Sequence, residues 1–310
     1  MTKNVITTKK TGIMKNLCPR KVQKIIGIIA VLTAGLIWAI EPVLSRMSYT
    51  ENTGIIQTSA VRALFCAIIA LLYAVVTARK SLLINRKQFG VITYITISGT
   101  VIADLLYYLA MTKTTILNAV LIGHLQPVFI VLIGFLILHE DKLRIFDYIG
   151  IFLMITAGSM VMIKTPENLL SLKIGTSGDL LVLCATFFWA TAGIAARKYL
   201  HGINSGTITF YRFGLAAIFL IGYLLVMGNF RISNIYQIIL GVSIGIGYIL
   251  YYEGLKRLKA AQVGALELSA PVFAGLFGYI FMNELMTPMQ IGGIVILFVG
   301  IHFISKRESH

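Results

Sequence analysis

Seven ionisable side chains stand inside long apolar runs: Glu41, Arg62, Asp104 and His124 in the first half of the chain, and Arg212, Glu253 and Glu267 in the second. At the centre of a membrane helix a charged group costs about 2.5–3.5 kcal/mol on insertion scales, so each needs a partner, a water-filled cavity or a task. The chemistry open to them is recognition of a charged solute, proton transfer, or pairing with one another. Three prolines share these runs. A proline cannot donate to the carbonyl four residues earlier, so Pro42 frees that of Trp38, Pro127 that of Gly123 and Pro271 that of Glu267. Freed carbonyls at membrane depth are tolerated where they line a cavity or meet a neighbouring helix. The stretches Trp38–Pro42, His124-Leu125-Gln126-Pro127 and Glu267–Pro271 therefore each combine a predicted break with polar side chains, the pattern of a midplane binding site. A plain kink is the alternative.

The elements that must hold these groups are membrane helices. Of the 310 residues 57% are hydrophobic and 13% charged, with a mean hydropathy of +0.86, which leaves too little polar surface for a soluble globule of this size. Apolar runs predict ten spans at about 24–47, 55–78, 88–111, 115–138, 144–163, 178–199, 206–227, 236–256, 261–282 and 287–305. The chain also repeats itself. Sliding it by 144 positions places Leu106-Tyr107-Tyr108 on Leu250-Tyr251-Tyr252, Pro127-Val128-Phe129 on Pro271-Val272-Phe273, and Glu140 on Glu284. Upstream the offset becomes 150, pairing Arg62 with Arg212, and then 151, pairing Trp38 with Trp189 and Arg46 with Arg197. Five helices per half is an odd number, so the expected fold is an all-α polytopic membrane protein of ten transmembrane helices in two inverted repeats. Residues 24–163 form the first and 178–305 the second, joined by an exposed linker at 164–177, with tails at 1–23 and 306–310.

Charge supports that topology. With a cytoplasmic N-terminus, 20 of the 27 Lys and Arg fall in cytoplasmic segments and four in outer loops, while Arg46, Arg62 and Arg212 lie within helices. Both termini are thus expected in the cytoplasm and the protein in the plasma membrane. The net charge of +15 is dispersed over short segments, which argues against nucleic acid and for orientation signals and anionic lipid. The basic start with its apolar run superficially resembles a signal peptide, but it aligns with 178–200 and is read as a retained helix. The three cysteines, Cys18, Cys66 and Cys184, suggest neither a disulfide framework nor a metal site. No cofactor motif occurs, and His139-Glu140-Asp141 reads as a helix end.

Comparison of the copies sorts the polar residues. Arg62 and Arg212 are equivalent and are expected to anchor their repeats on carbonyls or an acid. Asp104 aligns with Tyr248, Glu267 with Gly123 and Glu41 with Ala192, so these acids are unmatched and are better candidates for function. Glu41 and Arg62 lie at matching depth and are also candidates for a structural ion pair. Aromatics gather at the same depths: Trp38, Tyr107, Tyr108, Trp189, Tyr211, Tyr248, Tyr251 and Tyr252. With acids exceeding arginines, that lining suits a cationic or zwitterionic organic solute; for Tyr107 and Tyr251 a membrane-interface position is the alternative. The candidate binding or coupling residues are Trp38, Glu41, Asp104, Tyr108, His124, Gln126, Trp189, Tyr248, Tyr252 and Glu267. Gly241, Gly245, Gly275 and Gly278 are expected at close helix contacts.

These features together, with Trp in helices 1 and 6, aromatics near the ends of helices 3 and 8, and a proline in helices 4 and 9 followed by Gly and a closing Glu, resemble the EamA family of the drug/metabolite transporter superfamily. The resemblance spans about 25–305 and implies transport of a small solute, often export of amino acids or other metabolites, by alternating access without a cofactor. It implies a cavity between the repeats and, by likeness to distant members that exchange protons for organic cations, a coupling role for Glu41. The expectation is a secondary transporter or facilitator, monomeric or homodimeric, with protons as the candidate coupling ion. An intramembrane lipid-modifying enzyme and a non-transporting membrane partner are the alternatives.

Overall fold

The computed structural model describes residues 20–49, 53–78, 82–136, 145–172, 175–200, 202–258, 263, 266–267 and 269–305. Its helices are α1 (Arg20–Ser48), α2 (Ile55–Ala78), α3 (Arg86–Ile95), a π-helical segment Thr96–Ile102, α4 (Ala103–Ala110), α5 (Ile116–Gly123), α6 (Gln126–Leu136), α7 (Ile145–Ile163), α8 (Pro166–Leu170), α9 (Ser177–Tyr199), α10 (Ser205–Val226), α11 (Ile235–Leu255), α12 (Ser269–Met282) and α13 (Pro288–Ser305). Several start where polar residues interrupt the apolar pattern. Asn85 with Gln88, and Thr176 with Asp179, form reciprocal capping boxes, and Thr115, Asn204 and Asn234 accept from main-chain N–H groups of the first turn.

Among the described residues eight helices are long and apolar enough to cross a membrane, and two shorter ones, Ser269–Met282 and Pro288–Phe303, follow. The all-helical, two-repeat architecture is thus present, with eight of the ten expected spans at full length among the described residues. In the ninth, the described residues Val263, Leu266, Glu267 and Ser269–Met282 are helical. Leu266 and Glu267 are helical, so Pro271 stands within the ninth span and cannot donate to the Glu267 carbonyl. Pro127 stands second in α6, and an interruption falls before it, at His124-Leu125. The predicted break at Pro42 is absent: α1 runs through it for 29 residues, enough turns on both sides to carry one lost bond. The 164–177 linker holds the short helix α8, capped by Thr165. His139-Glu140-Asp141 and Cys18 lie outside the described residues.

The main interfaces join the two halves. α2 packs on α10, α7 on α13, α1 on α11, and α9 on the α3–α4 span. Under the repeat alignment the first two pairs are each an element with its own copy, and the last two exchange with one another, as a two-fold relation requires. Gly241 makes one of these interfaces close: a Cβ there would stand 2.7 Å from the Arg62 carbonyl. Gly206 does the same in α10, 2.8 Å from the Ala70 carbonyl. Such small residues let van der Waals packing act where lipid removes the hydrophobic drive between helices.

Hydrogen bonds sort the helix ends onto two faces. On the face where α1 begins, Arg257 meets Gln23, Asn204 meets Thr77, and the Tyr211 hydroxyl donates to the Leu82 carbonyl. On the face where α1 ends, Gln57 donates to the Arg231 carbonyl, Thr114 to Asp179, and Thr287 to the Lys164 carbonyl.

Candidate functional site

The buried charges form two arginine-centred clusters that share one aromatic ring. Arg62, on α2, is 2% exposed and donates through a short bond to Asp104; Glu41 stands 3.6 Å from its other terminal nitrogen. The Tyr108 hydroxyl donates to Glu41 over 2.6 Å, and the guanidinium lies 4.9 Å from the Tyr108 ring and 5.3 Å from that of Phe213. Arg212, on α10, lies 5.2 Å from the same Phe213 ring and 4.9 Å from that of Tyr248. Its hydrogen-bond partners are neutral: Thr100 Oγ1 at 2.6 Å, the Gly99 carbonyl at 3.3 Å, and the Tyr252 hydroxyl.

The π-helical segment explains how Gly99 is available. The Ala103 N–H bonds the Ser98 carbonyl, five residues back, instead of the Gly99 carbonyl four back. Gly99 is thereby released, and both Trp189 Nε1, at 3.0 Å, and Arg212 donate to it. Insertions of this kind gather at functional sites. Thr, Ser and Gly in succession within an apolar run were the available signal for it.

Between the repeats lies a cavity of about 330 Å³. Its walls include Trp38, Tyr107, Gly123, His124, Gln126, Pro127, Trp189, Ala192, Arg212, Tyr248, Tyr251, Tyr252 and Glu267. A wider crevice of about 880 Å³ at the periphery, between Thr53 and Arg231, touches none of the intramembrane charges. The central volume falls within the range of small-molecule sites, with apolar walls and a few convergent polar groups. Glu267 hydrogen-bonds the Tyr251 hydroxyl. His124 approaches the Val120 carbonyl through Nδ1 at 2.7 Å, and its ring also meets the main chain of Glu267. The carbonyl orphaned by Pro271 is thus met from the interrupted helix of the other repeat.

The structure redistributes the expected residues. Trp38, His124, Gln126, Trp189, Tyr248, Tyr252 and Glu267 come together around the cavity, with Arg212. Glu41, Asp104 and Tyr108 do not line it. Asp104 is 4% exposed and held by Arg62 and, at 2.8 Å, by Trp189 Nε1. Its charge faces Arg62, and Asp104 is a tighter partner of that guanidinium than Glu41. Arg212 bonds a carbonyl, that of Gly99 in the other repeat, together with Thr100 there and Tyr252 in its own. Tyr107 and Tyr251 face the cavity instead of a membrane interface. Glu253 sits near the end of α11, paired with Lys256 and Arg257, both at 2.6 Å.

Two residues absent from the expected site meet at the face where α1 ends. Arg46 donates to the Met111 carbonyl at 2.9 Å, to the Thr114 carbonyl, and to Glu284 at 2.5 Å; Glu284 also accepts from the Ile116 N–H at 2.8 Å. Asn283, at φ 53°, ends α12 in the left-handed region, and the Glu284 N–H then bonds back to the Gly278 carbonyl, which aims Glu284 at Arg46. Both residues recur in the other repeat as Arg197 and Glu140, a recurrence that marked them in the sequence. Among the described residues no group of three or more His, Cys, Asp or Glu is placed to hold a metal ion.

Fold and cavity define a multi-pass α-helical membrane protein built from two like halves around a central polar pocket. The chain belongs to the EamA-like transporter family, whose model matches residues 25–163 and 176–306. It is 29% identical over 220 residues to a protein of Methanothermobacter thermautotrophicus named as an uncharacterized transporter, covering 69% of this chain and 64% of that one. With the riboflavin transporter ImpX of Fusobacterium nucleatum it shares 24% over 196 residues, 60% of this chain and 65% of the other. With protein LicB of Haemophilus influenzae it shares 23% over 283 residues, covering 87% and 94%. The matched segment thus spans a little under two thirds of the first two of these relatives. A crystallised protein has the same fold, with a TM-score of 0.64 at 16% identity, over 92% of this chain and 99% of that chain.

Proposed function

We propose that the protein is a secondary transporter or facilitator of a small organic solute, an amino acid, amine or related cationic or zwitterionic metabolite, moved across the plasma membrane by alternating access, with export the favoured direction. One observation carries the reading: an aromatic cavity with a few polar groups lies between the two repeats. Charge asymmetry of the loops supports placing both termini in the cytoplasm, so the face where α1 ends, where Arg46 pairs with Glu284, is the extracellular one. In the mechanism the inverted repeats rock about the cavity. The discontinuity before Pro127 absorbs the change, and His124 ties it to the main chain of Glu267 in the other repeat. Counterflow in proteoliposomes tests this, with amino acids, amines and riboflavin as trans substrates. Saturable exchange of at least one class is expected; its absence for all, with folded protein in the vesicles, removes the reading.

Proton coupling belongs to Glu267. Glu41 and Asp104 both face Arg62, whereas Glu267 lines the cavity with a neutral tyrosine as its hydrogen-bond partner, so it can release or take a proton without breaking an ion pair. In Glu267→Gln, accumulation driven by an imposed pH gradient is expected to fall at least tenfold more than solute counterflow measured in the same vesicles at saturating solute. Equal gradient-driven accumulation in variant and parent would assign coupling elsewhere.

A further inference from the structure

The two arginine clusters occupy equivalent positions in the repeats, yet among the described residues only Arg62 is paired with acids. Arg62 has Asp104 and Glu41 within 4.0 Å. The repeat equivalents of those acids are Tyr248 and Ala192, and both border the central cavity together with Arg212. Ala192 stands close by: a Cβ placed on Gly99 would lie 2.9 Å from the Ala192 Cβ and 3.2 Å from an Arg212 terminal nitrogen. Among the described residues Arg212 makes no ion pair, only neutral hydrogen bonds and ring contacts. Where the first repeat carries two carboxylates, the second carries a tyrosine ring, a methyl group and open volume.

We infer that the carboxylate of the transported solute takes, on Arg212, the place that Asp104 holds on Arg62. A buried guanidinium gains most from an anion that meets its planar donors, and a carboxylate is the geometry the first repeat already demonstrates. Glu267 is the acid that borders the same cavity, so a cationic group on the solute has its counter-charge there. Rings of Trp38, Trp189 and Tyr248 line the space for the remainder of the molecule. The solute class is therefore a carboxylate-bearing zwitterion, and a purely cationic amine lacks half of the recognition. This deepens the transporter reading and rests on the central cavity being its solute site.

Both tryptophans of the chain border the cavity, so intrinsic fluorescence of the purified protein reports occupancy directly. The probes are an equimolar pool of the twenty amino acids and a pool of their α-carboxamides, which are matched in size and retain the amine. Saturable quenching by the acids is expected, with half-saturation for the amides at least tenfold higher. Arg212→Gln is expected to abolish that acid-over-amide preference. Tyr248→Asp, which returns to Arg212 the acid its counterpart has, is expected to abolish it with Arg212 in place, so a folding defect in one variant does not decide the matter. Amides binding as well as acids, no saturable response to the acid pool, or an unchanged preference in folded variants would overturn the inference. Counterflow of a compound without a carboxylate, alongside any of these, would leave the transporter reading intact and remove only the carboxylate.

Discussion

Asp104→Asn is expected to destabilise the protein by about 3 kcal/mol, the lower end of the 3–5 kcal/mol seen when one partner of a buried ion pair is removed. The amide keeps the shape and can still accept from Trp189 Nε1, so packing is conserved and the loss falls on Arg62. That guanidinium is 2% exposed; its Nε has no partner, and after the change its remaining carboxylate is Glu41 at 3.6 Å. The presence of Glu41 is what keeps the effect toward the lower end. Reversible unfolding in mixed micelles of mild and denaturing detergent measures the cost. The double variant Arg62→Gln with Asp104→Asn should recover part of it, because the guanidinium is gone and the one carboxylate left in the cluster, Glu41, keeps the Tyr108 hydroxyl as donor. A single variant within about 0.5 kcal/mol of the parent would show that the pair contributes nothing measurable.

Arg46→Ala is expected to increase access to the cavity from the face where α1 ends. One side chain there bonds the carbonyls of Met111 and Thr114 and the Glu284 carboxylate, tying the end of α1 to the loop after α4 and to the end of α12. A hydrogen bond to a charged group contributes about 1.5–3 kcal/mol, and each 1.4 kcal/mol is about tenfold in an equilibrium. Loss of the cluster should therefore move the two-state population by more than tenfold toward the outward-open form. A single cysteine at Val120, a cavity-lining position, reports this in a background with Cys18, Cys66 and Cys184 replaced. Labelling by a membrane-impermeant thiol reagent from the α1-end face should rise at least tenfold in Arg46→Ala. Arg46→Lys, which keeps a charge without the planar fork, should rise less. Unchanged labelling in Arg46→Ala would mean that the cluster ties helix ends together without gating access. Glu284→Gln supplies a second reading, since it removes the charge while leaving the two carbonyl contacts.

The two results would separate roles that look alike in the sequence. Asp104 and Glu267 are both intramembrane acids without a charged counterpart in the other repeat, and nothing in their flanking residues distinguishes them. Asp104 is drawn out of the cavity by Arg62, from a helix 42 positions away in the chain, and by Trp189 from the other repeat. Glu267 faces the cavity with Tyr251. The same asymmetry separates the arginines, which the alignment makes equivalent and the folded protein does not.

Membrane insertion, the duplicated architecture and the aromatic character of the central pocket were legible in the chain because they depend on local quantities. Transfer of an apolar run of about 20 residues into hydrocarbon is decided within that run, and a repeat is visible by self-comparison. The positions Trp38, His124, Gln126, Trp189, Tyr248, Tyr252 and Glu267 followed from depth and proline spacing alone. Tertiary structure decided which charges are spent and which are left, since ion pairing acts over about 4 Å between helices distant in sequence. Close approach at Gly241, the released Gly99 carbonyl in the π-helical segment, and the left-handed turn at Asn283 set those distances. None of the three is a property of composition or period. Each depends on where a second helix stands, which is why the acid-paired Arg62, the cavity-lining Arg212 and the ion pair of Arg46 with Glu284 emerged only from the folded chain.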